Sequence, residues 1–211
     1  TLLNGRIISA MLQNTDDEKY TAMRHLSDWL SASLRYTQGT IGGLKVDGTT
    51  FHHGCHYPAY TVGALGHLGV FCMLTKDTDL ILNHEARVHM KKALLTMRNY
   101  CSGVNWGFGI CGRRPLHGTM KTDEISAMGY LAVLGDLTDE GKAVDHDLAG
   151  AYLDLGGKNK ELLEVFEKHK IGPKTPEEGF SVYTCYDMES AWDMFDNVFK
   201  GIAEMQCLFI L

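Results

Sequence analysis

Apolar side chains return every three or four residues along nearly the whole chain. Met23, Leu26, Leu30 and Leu34 trace one helical stripe behind the run Asn14-Thr15-Asp16-Asp17-Glu18, which supplies a cap and an acidic first turn, so a helix is predicted over Asp16–Tyr36. A shorter one precedes it over Leu2–Leu12. Further helices follow over Tyr57–Thr75, from Asn83 to Tyr100, and over Thr122–Gly135. Val144, Leu148, Ala151 and Leu155 mark another, stopped by Gly156-Gly157, and Leu162, Val165, Phe166 and His169 the next, stopped before Pro173. Met188, Trp192, Phe195, Phe199 and Ile202 repeat the spacing in the tail, Asp187–Glu204. No extended alternating run appears, and a short strand is expected only near Phe180–Tyr183. The predicted class is all-α, built of antiparallel helical hairpins with loops gathered at the hairpin ends, where a rigid scaffold tends to hold function.

Two breaks in the helical pattern carry unusual chemistry. Residues 47–60, Asp-Gly-Thr-Thr-Phe-His-His-Gly-Cys-His-Tyr-Pro-Ala-Tyr, gather three imidazoles and two phenols just ahead of an apolar helix. Residues 107–115, Gly-Phe-Gly-Ile-Cys-Gly-Arg-Arg-Pro, add fixed positive charge. Proton-transfer groups beside guanidinium groups suit chemistry on an anionic substrate. Gly63, Gly66 and Gly69, three apart in the intervening helix, predict close approach of another backbone or a ligand.

Composition narrows the field. The 211 residues suffice for one domain and a sizeable core, and the net charge of −6 argues against general nucleic-acid binding. No run reaches the roughly 20 apolar residues that span a bilayer, so no membrane partner is expected. The start, Thr1-Leu2-Leu3-Asn4-Gly5-Arg6, carries no signal-peptide pattern and reads as entry partway through an element. Six scattered cysteines, with no C-x-x-C pair, read as free thiols. His52, His53 and His56 have loop spacing that binds metal only with further ligands, so no metal or other cofactor is expected.

The stretch Leu44–Tyr60 followed by Gly112-Arg113-Arg114-Pro115 resembles polysaccharide lyase family 8, and within it the broad-specificity chondroitin sulfate ABC lyases. There a D-G-(S/T)-x-x-x-H segment leads into Y-P-x-Y, and a G-R-x-P loop follows. Glu178-Gly179-Phe180 resembles the exit from their helical domain, so the likeness covers roughly residues 40–180. The resemblance implies an incomplete α/α toroid, with residues 1–180 part of the toroid lyase domain and 181–211 a C-terminal segment, helical by pattern, where the family enters a β-rich domain. It also implies a secreted or periplasmic protein acting on an anionic polysaccharide.

The implied reaction is β-elimination on a uronic-acid-containing glycosaminoglycan of the chondroitin or dermatan type. A base removes the C5 proton, the C4–O bond breaks, and an unsaturated uronate remains. The neighbouring carboxylate makes that proton hard to remove, so a cation or strong donor must offset the developing charge. By resemblance the catalytic tyrosine is Tyr60, the histidine His53 and the arginine Arg113. A phenol ordinarily titrates near about 10, so neighbouring positive charge is needed for it to act as a base. Loop position adds His52, His56, Asn105, Trp106 and Arg114 as substrate-binding candidates, with Trp106 suited to stacking on a pyranose face. The family completes its site with a glutamate from a following β-rich domain, which is not assignable here. A non-catalytic glycan-binding helical fragment is therefore the alternative reading. A glycoside hydrolase is a third, since Asp47, Asp123 and Glu124 are available, although that chemistry wants two carboxyl groups flanking the bond.

Overall fold

The computed structural model describes residues 2–99, 101–105, 118–120, 122–138 and 141–175. Its elements run α1 (Leu2–Met11), α2 (Asp16–Ser33), β1 (Gly43–Leu44), β2 (Thr50–His52), β3 (Cys55–His56), α3 (Pro58–Thr75), α4 (His84–Asn99), α5 (Thr122–Ala132), α6 (His146–Asp154) and α7 (Lys160–Lys168). The mostly helical class stands, with each helix a few residues shorter than its apolar pattern. The predicted tail helix and the expected strand at Phe180–Tyr183 lie outside the described residues.

The helix starts follow from local chemistry. Thr15 caps α2 in a full capping box, its hydroxyl accepting from the Glu18 N–H while the Glu18 carboxylate accepts from the Thr15 N–H. Asn83 Oδ1 accepts from the Ala86 N–H at 2.8 Å, and Asn159 Oδ1 from Leu162 at 3.2 Å. Asp145 caps α6 through the N–H groups of Asp147 and Leu148. Each such cap contributes about 1 kcal/mol.

One apolar core threads the helices, from Leu26 and Leu30 on α2 through Leu65, Phe71 and Cys72 on α3, Met90, Leu94 and Met97 on α4, Met128 and Leu131 on α5, to Leu148 and Phe166. The most extensive pairing is α3 on α5. Glycine makes it possible: a Cβ at Gly69 would lie 2.6 Å from the Ala127 Cβ, and one at Gly66 would lie 2.8 Å from the Asp123 Cβ. The close approach expected of the glycine series holds at these two, whereas Gly63 faces open space. Helix α3 also corrects the expectation about apolar runs, because it is long and apolar enough to cross a bilayer by length and composition. Nearly half of it is buried within the protein, with α5 its main partner.

A second correction concerns the strands. The segment read as a loop folds into an antiparallel sheet of order β1-β2-β3. Strands of two or three residues are too short for an alternating pattern to register.

Candidate active site

The sheet is anchored before it presents anything. Lys45–Thr49 makes a tight turn in which the Asp47 carboxylate accepts from the Thr49 N–H (2.8 Å) and hydroxyl (2.6 Å). Gly48, at a φ of 83°, lets the turn sit on α4, where Thr96 Oγ1 donates to the Asp47 carbonyl at 3.0 Å. Lys45 turns inward, donating to Thr37 Oγ1 at 2.8 Å and to the Ile41 carbonyl at 2.6 Å with its ammonium 4.9 Å from the Phe51 ring centroid. Burial pushes its pKa down. Asp47 and Gly48 therefore fasten the hairpin to α4, and Lys45 fastens it to the loop that follows α2.

The second turn carries the chemistry. Phe51 pairs with His56 and His52 with Cys55, leaving His53 and Gly54 as a two-residue loop with φ of 54° and 77°. Positive φ at both positions matches a type I′ turn, whose twist suits a tight hairpin. Glycine accepts this freely, but histidine is strained in it. The strand alternation buries Phe51 and turns His52 outward, and the turn projects His53 into solvent.

The Thr50 carbonyl ties this hairpin to α3. It accepts from the Tyr57 N–H at 2.8 Å and from His56 Nδ1–H at 3.1 Å, which fixes the tautomer of His56. Burial pushes the His56 imidazole below its ordinary range, so this ring is neutral and holds the hairpin from inside. Tyr57 takes the N-cap position of α3 without a side-chain cap, Pro58 sets the first turn, and Tyr60 follows three residues after Tyr57.

Four rings meet as a result. The His52 centroid lies 4.0 Å from His53 and 4.9 Å from Tyr60, and His53 lies 6.1 Å from Tyr60. Tyr57 supports all three, at 6.0 Å from His52, 5.8 Å from His53 and 4.8 Å from Tyr60. Tyr57 is only 6% exposed while Tyr60 is 42% exposed, so one phenol is a floor and the other faces outward.

His52, His53 and Tyr60 are thus together, while His56 pairs with Phe51 across the hairpin. Asn105 lies in a small loop where its Oδ1 accepts from the Thr119 hydroxyl at 3.0 Å. Trp106, Arg113 and Arg114 lie outside the described residues. Tyr57 escaped the sequence reading, although the Y-P-x-Y spacing held the signal, since a tyrosine three before another on a helix start shares its face. The carboxylates considered for hydrolysis do not converge: Asp47 is engaged by Thr49, and Glu124 is fully buried on α5. Among the described residues no three His, Cys, Asp or Glu side chains gather as a metal site.

An imidazole and a phenol thus stand side by side on a solvent-facing edge, over a helical scaffold, and both are groups that can give or take a proton. The profile of a family described as "Lyase, catalytic" matches residues 1–161, and the chain belongs to that family of lyase catalytic domains. Among curated proteins it is similar to a chondroitin sulfate ABC exolyase of Bacteroides thetaiotaomicron, 32% identical over 193 residues, and to one of Proteus vulgaris, 32% identical over 159 residues. These alignments cover 85% and 75% of this chain but 18% and 16% of the relatives, so the chain spans less than a fifth of their length.

Proposed function

We propose that this chain carries the proton-transfer part of a glycosaminoglycan lyase that cleaves chondroitin or dermatan-type chains by β-elimination. The observation that carries the reading is the pair His53 and Tyr60, 6.1 Å apart between ring centroids, one on a hairpin tip and the other on a helix start. Two groups so placed can address a sugar ring from different sides. One base takes the C5 proton, and the electron pair left behind becomes the C4–C5 double bond. The C4–O bond breaks, and its oxygen leaves with a proton from the second group or from the same one. Tyr60 serves a C5 proton on one face of the ring, and His53 serves the epimer with its proton on the other. His52 lies beside both to receive a carboxylate or sulfate. Arg113, and Arg114 beside it, would hold the substrate carboxylate, the role that a permanent guanidinium charge fits. Trp106 and Asn105 would line the same cleft.

In this reading the domain belongs to an α/α toroid of a longer, exported polypeptide, and a β-rich domain supplies a further carboxylate. The test is ultraviolet absorbance of the conjugated uronate during incubation with chondroitin sulfate. Product from the full-length polypeptide that disappears in Tyr60→Phe is expected. Equal rates in the two proteins would remove Tyr60 from the chemistry. A second reading keeps the exposed ring cluster as a glycan-binding surface without turnover. Calorimetric binding of an oligosaccharide without any absorbance change would select it.

A further inference from the structure

A groove of about 560 Å³ runs between α1, α2 and α3, within the size range of small-molecule clefts. Its lining includes Tyr60, so it opens from the ring cluster, and it continues past Gly63, His67 and Ser33 to Arg6 and Trp29. Trp29 is 54% exposed, and the Arg6 guanidinium lies 4.8 Å from the centroid of its ring. Single exposed apolar residues need no explanation. Here, however, the indole is held by a cation at the rim of a groove shared with Tyr60. Stacking leaves the edge N–H donors of the guanidinium available, and among the described residues no carboxylate pairs with Arg6. His67 adds imidazole to the same wall, fixed by a bond from its Nδ1–H to the Gly63 carbonyl.

We propose that this groove is a saccharide subsite, taking an anionic sugar unit one or more residues from the bond that Tyr60 faces. Trp29 offers an apolar face to pyranose C–H groups, and Arg6 donates to a uronate carboxylate or a sulfate. The apolar wall of Leu3, Leu30 and Leu68 suits the flat face of the sugar, and the polar groups at the rim suit its charged substituents. This assignment rests on the glycan-lyase reading for its ligand, but it names a place and residues that the reading does not use.

The experiment compares chondroitin sulfate tetrasaccharide and decasaccharide with the parent polypeptide and with Trp29→Ala, Arg6→Gln and Gly63→Leu, measuring binding by calorimetry and product by absorbance. A Gly63 side chain would enter open groove space, so Gly63→Leu obstructs the subsite while removing a helix-weakening glycine. All three variants are expected to lose decasaccharide affinity on the order of tenfold while tetrasaccharide affinity changes little, with Gly63→Leu melting at or above the parent temperature. Unchanged decasaccharide affinity in all three overturns the subsite. Product formation at parental rates and KM for both lengths in every variant also overturns it, while leaving the lyase reading intact. Length-dependent binding that needs Trp29 and Arg6 but yields no product supports the subsite and removes the lyase reading instead.

Discussion

The ring of His53 stands 6.1 Å from that of Tyr60, and it does so from a backbone position that histidine rarely occupies, with φ at 54°. The hairpin would be more comfortable with asparagine or glycine there. A non-glycine residue at positive φ, at the tip of a turn and beside a phenol, is an outlier that motivates a functional test.

Replacing that histidine therefore separates stability from activity. His53→Asn and His53→Gly are expected to keep the melting temperature or raise it, relieving about 1 kcal/mol of left-handed strain. Loss of an acid–base group should meanwhile lower turnover on the order of 100-fold on a substrate that uses it. Parallel thermal melts and absorbance assays check this. A variant that unfolds at lower temperature would mean the ring is needed for the hairpin and that the strain argument is wrong.

Two glycines of α3 should answer alanine in opposite directions. Gly63 meets nothing within 4 Å, so Gly63→Ala gains helix propensity, about 0.5–1 kcal/mol. Gly69 would place its new Cβ 2.6 Å from the Ala127 Cβ, so Gly69→Ala must push α5 away and is expected to cost about 1–3 kcal/mol. Urea denaturation of both variants measures the difference, and similar midpoints would contradict the tight α3–α5 contact.

Gly48 tests how the site is mounted. A methyl group there would lie 2.3 Å from Thr96 Oγ1 and 2.9 Å from the Lys92 carbonyl, in addition to the penalty at a φ of 83°. Gly48→Ala should lift the turn off α4 and reduce both stability and turnover, although no catalytic candidate is changed. Thr96→Ser retains the hydroxyl that donates to Asp47 and is expected to behave like the parent in melts and assays.

His56 gives the protein a specific acid sensitivity. Burial lowers its pKa, and the Thr50 hydrogen bond and the Asp47 charge offset that only in part. Folded His56 stays neutral, whereas in the unfolded chain it takes up a proton as pH falls through about 6.5. Protonation therefore favours unfolding, and this contribution to stability is lost on acidification below that pH and fully present above it. Urea midpoints at acid and neutral pH should lie further apart for the parent than for His56→Gln, which keeps a side-chain N–H for the Thr50 carbonyl. Equal spacing would remove His56 as the source.

The helices were legible because α2 and α4 to α6 each bury a stripe of three or more apolar residues, a period that survives interruption by Gly or His, while α7 repeats the spacing with Leu162 and Phe166. The three strands were not, since β1 and β3 have two residues each and β2 has three, and their residues include Gly, His and Cys, none of which signals a sheet. His53 and Tyr60 were reachable through their motif spacing, but that spacing held no hint that a type I′ turn would set their geometry. Tyr57 was passed over although the Y-P-x-Y spacing set it on the face of Tyr60, because its role is that of a buried support. Arg6 and Trp29 were beyond local reading altogether, as they come to the Tyr60 groove through the packing of α1 on α2. The extent of the ionic network behind α4 was hidden for the same reason.

That network supplies the last prediction. Lys91 on α4 is 3% exposed and pairs with the fully buried Asp145 at 2.7 Å, with Asp136 and Asp147 at 3.6 and 3.8 Å and the Thr138 hydroxyl at 2.9 Å. Asp145 is also the α6 cap, so one carboxylate joins α4 to the start of α6. Burial pushes its pKa up, and Lys91 opposes that by favouring the ionised form. Lys91→Met leaves the carboxylate without its main counter-charge and is expected to cost about 3–5 kcal/mol. Adding Asp145→Asn removes the stranded charge while keeping a side-chain oxygen able to cap α6, so the double variant should recover part of that loss. A double-mutant cycle by urea denaturation reads the coupling directly. Simple additivity of the two single losses would mean that Lys91 and Asp145 stabilise the fold independently.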